Sequence, residues 1–356
     1  MSNSNTHLVF AGGYASDVEP GILAFEFDES TGGLQACGVF SGIANPSYLL
    51  LHPTRPWLYS VSEASRNDGD FSGEVWALSY ERAPFGIRAL NQKSTQGSGP
   101  CHFELDKTGC WLFVSNYGSG SAAVFKLGPT GALGEMTDFV QHRGSGPNAA
   151  RQEGPHAHSA IVTGNNQFVI IADLGIDELV VYRFDSQNGK LAPHAKISMP
   201  PGSGPRHMAF DPSGSWLYVA NELASTVTVF KYEPAGGKLF QRATYSTLPD
   251  GAGESYVADI HISSSGQRLY VSNRGHNSIA TFVADSDGAL RLHEHAACGG
   301  VWPRNFALSP SGSFLLVANQ HSDEVCVLPV TRTGGLDFSV ASRPVAGAAC
   351  VKFASN

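Results

Sequence analysis

The chain has 356 residues and a formal net charge of −8, from 23 Lys and Arg against 31 Asp and Glu. That length suits two or three ordinary domains or one large all-β domain, and the acidic balance argues against nucleic acid as a partner, because phosphate neutralisation needs a basic face. No apolar run approaches the roughly 18 residues of a membrane span, the first residues lack the basic and apolar regions of a secretory leader, and six cysteines without a CxxC spacing describe neither a disulfide framework nor a zinc ribbon. The expected setting is the cytoplasm, with free thiols and no membrane contact.

In chain order, "HLVFAGGY", "GILAFEF" and "LQACGVFS" read as three strands that lack a first strand. Six related frames follow: "NPSYLLLHPTRPWLYSVSE", "GPCHFELDKTGCWLFVSNY", "PHAHSAIVTGNNQFVIIAD", "GPRHMAFDPSGSWLYVANE", "VADIHISSSGQRLYVSNR" and "WPRNFALSPSGSFLLVANQ". They align on Leu58, Leu112, Phe168, Leu217, Leu269 and Leu315, at intervals of 46 to 56 residues. That period suits a four-stranded propeller blade and is too long for ankyrin or tetratricopeptide units. Within one unit, "RHMAF" is a short apolar strand, "DPSG" a turn, "WLYVAN" a buried run, "TVTVFKYE" an alternating strand, "PAGGK" a hairpin turn and "LFQRATYS" the fourth strand. No segment carries a helical apolar period over more than about two turns. The C-terminal "GAACVKFAS" resembles an isolated first strand. Pairing it with the N-terminal three completes a seventh blade and removes the open sheet edges. The expected fold is therefore all-β: one seven-bladed propeller over residues 1–356, closed by its C-terminal strand.

In such a blade the innermost strand starts at one face of the ring, and the second strand returns to that face. The start of the first and the end of the second should meet at the channel mouth, so the frame keeps its apolar body and varies its ends. The second-strand ends are Tyr14, Glu63, Tyr117, Asp173, Glu222, Arg274 and Gln320. The first-strand starts are Tyr48, His102, His158, Arg206 with His207, Asp259, and Arg304 with Asn305. A convergent set of Arg, His and carboxylates at a concave mouth points to a bound ligand, and a few arginines in one cleft outweigh a negative global charge locally. Each has a plainer reading. Glu222 could serve only to pair Arg206, and Asp173 and Asp259 could cap turns. His102, His158 and His207 share one repeat position in successive blades, but a ring should hold such positions apart, so no metal is expected. His293, Glu294 and His295 should be solvated surface, and Cys101 a buried inert thiol. The chain has no GxSxG elbow, phosphate-binding P-loop, GxGxxG after a strand, or HExxH.

"SNRGHNSIATF", "GPRHMAFDPSGSWLYVANE" and "PRNFALSPSGSFLLVANQHSDEV" resemble the seven-bladed propeller lactonase family, which includes bacterial 6-phosphogluconolactonases and fungal carboxymuconate cyclases. The resemblance spans essentially the whole chain, split blade included. It implies an active-site set of His158, Arg206, Glu222 and Arg274, with Asp259 standing where the family often has Glu. It also implies hydrolysis of a sugar-acid lactone such as 6-phosphogluconolactone, without metal or organic cofactor. The general base is His158 or Glu222; neutral His158 suits the role better, since Arg206 opposes any upward shift in Glu222, which would then orient Arg206 or bind sugar hydroxyls. Arg206 or Arg274 would stabilise the oxyanion, and the remaining arginine with Arg304 would bind phosphate or carboxylate. His207, His102, Asp173, Asp259, Gln320, Tyr117 and Glu63 complete the expected substrate lining. The partner is a small anionic lactone, and the chain is expected to be a monomer or weak homo-oligomer. Cyclisation of a carboxymuconate and a non-catalytic interaction propeller are the alternatives.

Overall fold

A computed structural model describes residues 5–63 and 73–355. They form seven four-stranded antiparallel sheets, and no α-helix occurs among the described residues. We number the blades 1 to 7 in chain order. The innermost strands of blades 2 to 7 are Leu49–Leu51, Pro100–Leu105, Ala157–Val162, Pro205–Phe210, Tyr256–Ile262 and Pro303–Leu308. Blade 1 combines Thr6–Gly13, Ile22–Asp28 and Gly33–Phe40 with the C-terminal Ala348–Phe353, which pairs antiparallel with Thr6–Gly13 as the innermost strand. Each innermost strand touches the innermost strand of the blade before and after it, Ala348–Phe353 included, so the ring is closed.

Seven apolar clusters hold the seven blade interfaces. Phe10 and Ala24 of blade 1 meet Leu58 and Leu78 of blade 2, for example, and Ile170 and Val181 of blade 4 meet Val219 and Phe230 of blade 5. The second strands "WLFVSN", "FVIIAD" and "WLYVAN" are buried at every residue because both faces of the sheet pack on a neighbour. Outer strands such as Lys190–Ser198 are largely exposed, with Leu191 buried and Ala195 and Ile197 half-buried. Blades also interlock at their edges. Trp216 Nε1 donates to Ser286 O of the next blade at 3.1 Å, and Gly288 lies against the same indole with φ +82, where any Cβ would stand 2.4 Å from the ring.

One recurrent turn sets where each channel strand begins. The residue between second and third strands is Asp177, Ser225, Asn277 or Asp323, all with φ between 50 and 56. Each side chain reaches the segment entering the next blade. Asp177 accepts from Gly204 N at 2.7 Å, Asn277 from Trp302 N at 2.8 Å and Asp323 from Gly347 N at 2.7 Å, while Ser225 donates to Ser255 O at 2.7 Å. Asp and Asn tolerate this backbone and have the reach to bond locally. Gly204 and Trp302 lie two residues before Arg206 and Arg304, so the turns fix the start of the strands that carry the site.

Candidate active site

Most innermost strands carry a β-bulge where they reach the mouth. The ladder to the second strand shifts between Pro100 and His102, Ala157 and His158's neighbour Ser159, Pro205 and Met208, Val257 and Ile260, and Pro303 and Asn305. A bulge breaks the two-residue alternation and re-aims side chains. Residues on opposite faces of a regular strand, such as Arg206 and His207, can then both serve the channel.

The centre of the mouth is Glu222. Its Oε2 lies 2.9 Å from Arg206 Nε and 2.8 Å from Arg274 Nη2. Its Oε1 lies 2.6 Å from Arg151 Nη2. The Arg206 and Arg274 side chains are only 3% and 6% exposed. Burial alone would raise the Glu222 pKa, but Arg274, Arg206 and Arg151 outweigh it and hold the carboxyl far below the usual range. Burial draws Arg274 down to about 10 and also lowers Arg206, both still cationic at neutral pH. Further donors serve backbone, with Arg206 Nη1 bonded to Ala258 O and Arg274 reaching Tyr256 O and Val257 O at 3.4 and 3.2 Å, while Arg206 Nη2 and Arg274 Nη1 have no partner among the described residues. Arg274 also lies over the Trp302 ring at 5.6 Å.

Arg304 differs. Its guanidinium sits 5.2 Å over the Tyr14 ring and has no hydrogen bond or ion pair among the described residues. Burial opposes its charge, but Tyr14, Glu63 and Glu222 hold its pKa above the ordinary value. Tyr14 donates to Glu63 Oε2 at 2.9 Å, and Ser47 Oγ donates to the same oxygen. Glu63 therefore backs Arg304 through the phenol.

His158 completes the expected set. It is buried, with its ring 5.4 Å from Tyr117 and 5.3 Å from His207, and Nδ1 3.8 Å from Cys101 Sγ. Nε2 bonds no described residue. Burial, then Arg206, His207 and Arg304, push its pKa well below 6.5, so the ring is neutral at physiological pH. Cys101 donates to His158 O at 3.2 Å, and burial raises its thiol pKa, which leaves an inert thiol.

Several expected lining residues lie behind this centre. His207 turns away from Glu222: Nδ1 meets Asp259 Oδ1 at 2.7 Å, and Nε2 is buried without a partner among the described residues. Burial and Arg206 bring its pKa to about 4. Asp259 also accepts from His261 Nε2 at 2.9 Å and Phe306 N at 3.2 Å. Its acceptors are occupied, so it positions His207 rather than meeting a ligand. His102 packs on Tyr48 and His207 at 4.6 and 5.2 Å and accepts from Ala160 N through Nδ1. The three histidines thus converge where ring geometry predicts separation: the bulged strands tilt them inward. They meet edge to face, and among the described residues no group of three or more His, Cys, Asp or Glu is arranged to hold a metal ion. Gln320 presents a buried Oε1 with no described partner. Of the HEH segment only His293 is exposed. Half-buried Glu294 and His295 bond Leu336 N at 2.6 Å and Thr247 O at 2.9 Å, joining neighbouring segments.

Asp173 is wholly buried and ties down a loop. Oδ2 meets His142 Nδ1 at 2.6 Å, and Oδ1 accepts from His156 N at 2.7 Å. The segment 142–156 between these contacts joins blades 3 and 4 and carries Arg151 to Glu222. Arg151 escapes a sequence reading because it lies outside the repeated frame, where no periodicity marks it. The clue in the sequence is length: this connection has no counterpart of similar size between the other blades.

The mouth of this closed seven-bladed ring thus gathers three arginines on one carboxylate, with a neutral histidine within the influence of Arg206. The chain belongs to the Lactonase, 7-bladed beta-propeller family, whose model matches residues 8–353, and is accordingly a lactonase. It is 32% identical over 350 residues to the 6-phosphogluconolactonase of Bacillus subtilis, covering 98% of each chain. It is 36% identical to the 6-phosphogluconolactonase of Formosa agariphila, covering 90% of this chain and 91% of that one. The structure of the periplasmic gluconolactonase of Pseudomonas aeruginosa superposes with a TM-score of 0.92 at 31% identity, covering 98% and 99% of the two chains.

Proposed function

We propose that the protein hydrolyses 6-phosphogluconolactone to 6-phosphogluconate. The observation that carries this reading is the cation excess at the mouth: among the described residues, four arginines, Arg151, Arg206, Arg274 and Arg304, are set against three carboxylates, Glu222, Glu63 and Asp259. Such a site suits an anionic substrate whose reaction develops further negative charge. The relatives named 6-phosphogluconolactonase support the same substrate.

In this mechanism water attacks the lactone carbonyl while His158 Nε2 takes its proton. The tetrahedral oxyanion forms against the Arg206 and Arg274 guanidiniums. The ring C–O bond then breaks, and the proton held by His158 passes to the departing ring oxygen, leaving a hydroxyl and a carboxylic acid that releases its proton to solvent and becomes the carboxylate. Glu222 is too strongly held as carboxylate to act as the base. It aligns Arg206 and Arg274, and its charge limits their repulsion. The test is a panel of lactones, with 6-phosphogluconolactone, gluconolactone and carboxymuconolactone followed for opening. Rapid opening of only the last, or of none, overturns the reading.

Arg274→Ala should lower kcat/KM at least about tenfold, equivalent to about 1.4 kcal/mol. Glu222 stays paired with Arg206 and Arg151, so the fold should survive. Wild-type turnover would remove Arg274 from the chemistry.

The pH profile follows from His158. The neutral ring is the active form, and its pKa lies well below 6.5. kcat/KM should stay level as pH falls from neutral through 6.5, then decline on an acid limb below it. A limb centred at or above 6.5 in initial-rate measurements would exclude this histidine in this environment as the base.

A further inference from the structure

We propose that Arg151 reads the phosphate of the substrate and that Asp173 positions it by closing the loop that carries it; this rests on the lactonase reading above. The arginines at the mouth are not equivalent. Arg206 and Arg274 are buried and committed to Glu222 Oε2 and to backbone carbonyls. The Arg151 side chain is 35% exposed. Only its Nη2 is engaged, by Glu222 Oε1 at 2.6 Å and Tyr117 Oη at 3.4 Å. Nε and Nη1 have no partner among the described residues, and the guanidinium stands 5.8 Å from the Tyr256 ring. Arg151 therefore keeps its charge and the Nε and Nη1 donors for the oxygens of an anion at the rim while Nη2 remains attached to Glu222. The reacting carbonyl belongs deeper, beside His158, Arg206 and Arg274. A lactone bound that way directs its far end outward, where the terminal phosphate of a phosphorylated sugar acid would meet the more exposed guanidinium.

The loop is built to hold this geometry. Asp173 clasps both ends, through His142 and His156 N. His156 stacks on Tyr117 with ring centroids 4.3 Å apart, and its Nδ1 meets Tyr117 O at 2.9 Å. Gln152, next to Arg151, is wholly buried. Its Nε2 donates to Leu174 O at 2.8 Å, its Oε1 accepts from Asn148 N at 3.1 Å, and its backbone bonds Gly146 and Asn148. Burying a primary amide is favourable only when its bonds are met, and here they fix the residue that follows Arg151 and the largely exposed run 143–150. A connection serving only to cross from one blade to the next needs none of this. The five-residue link 298–302 makes the same crossing.

The test compares wild type, Arg151→Ala, Arg151→Lys and Asp173→Asn in two assays, with thermal melting to confirm folding. The first is the ratio of kcat/KM for 6-phosphogluconolactone to that for gluconolactone. The ratio should fall at least tenfold in Arg151→Ala, mainly through KM, and less in Arg151→Lys, which keeps charge but cannot hold Glu222 and an anion with separate nitrogens. Asp173→Asn should move it in the same direction. Equal losses on both lactones, or an unchanged ratio, would show that Arg151 serves Glu222 alone and overturn the proposal. The second is calorimetric binding of 6-phosphogluconate and gluconate, which needs no turnover. If wild type opens neither lactone the functional reading fails, yet tighter binding of the phosphorylated acid that is lost in Arg151→Ala still supports the residue's role. Equal binding by both proteins, or no preference in wild type, overturns it.

Discussion

His158→Asn should lower kcat by about 10²- to 10⁴-fold, the usual contribution of a positioned general base, while the protein melts near the wild-type temperature. Among the described residues the side chain makes no strong hydrogen bond whose loss would disturb the mouth: its one polar contact there is the 3.8 Å approach of Cys101 Sγ, and the Cys101 thiol donates to the His158 backbone. Asn fits the space without leaving a large cavity and supplies no base. The acid limb of the pH profile should disappear with it. His207→Asn is the control, because His207 is the other imidazole within ring contact. Its Nδ1 is held by Asp259 and its Nε2 is enclosed, so a loss as large as that in His158→Asn would reassign the base. Wild-type kcat in His158→Asn would end its role.

Glu222→Gln should lower stability by about 3 to 5 kcal/mol, the range found when one member of a buried ion pair is removed. The amide keeps the shape but leaves the side chains of Arg206 and Arg274, 3% and 6% exposed, without a carboxylate. Arg274→Ala removes one of three cations on the same group and leaves no buried charge unpaired. The two substitutions should therefore separate: one strikes stability, the other turnover. Urea unfolding midpoints measure the first. A Glu222→Gln protein that unfolds with wild type would mean that solvent or counter-ions compensate the arginines. Added phosphate should restore part of the loss in Glu222→Gln, because an anion bound only by the folded state stabilises it.

The ring was readable from the sequence because a blade repeats its apolar body, and the body is what packs. The split blade followed from the same logic, since three orphan strands and one stray strand complete each other. His158, Arg206, Glu222 and Arg274 stand among the varying ends of the frame, and the family resemblance is what singled out these four. The finer assignments within the mouth were not readable. A strand's alternation places Arg206 and His207 on opposite faces, and only the bulge between Pro205 and Met208 sets both toward the channel. Asp259 and Asp173 sit at lining positions yet spend their oxygens on His207 and on the 142–156 loop, which depends on partners 52 and 17 to 31 residues away. Arg151 belongs to no repeat, and the bond that brings it to Glu222 spans 71 residues.

The strand that closes the ring, Ala348–Phe353, follows every other strand in the chain. A polypeptide leaving the ribosome can pack its middle blades in turn, each on the one before. Blade 1 must wait throughout with the inner edge of Val9–Gly13 unpaired, the kind of edge that recruits foreign strands. The mouth is assembled across this seam, since Arg304 of blade 7 lies over Tyr14 at the end of blade 1. Catalytic competence therefore arrives late in synthesis, and a nascent chain stalled before its final strand would be both inactive and adhesive.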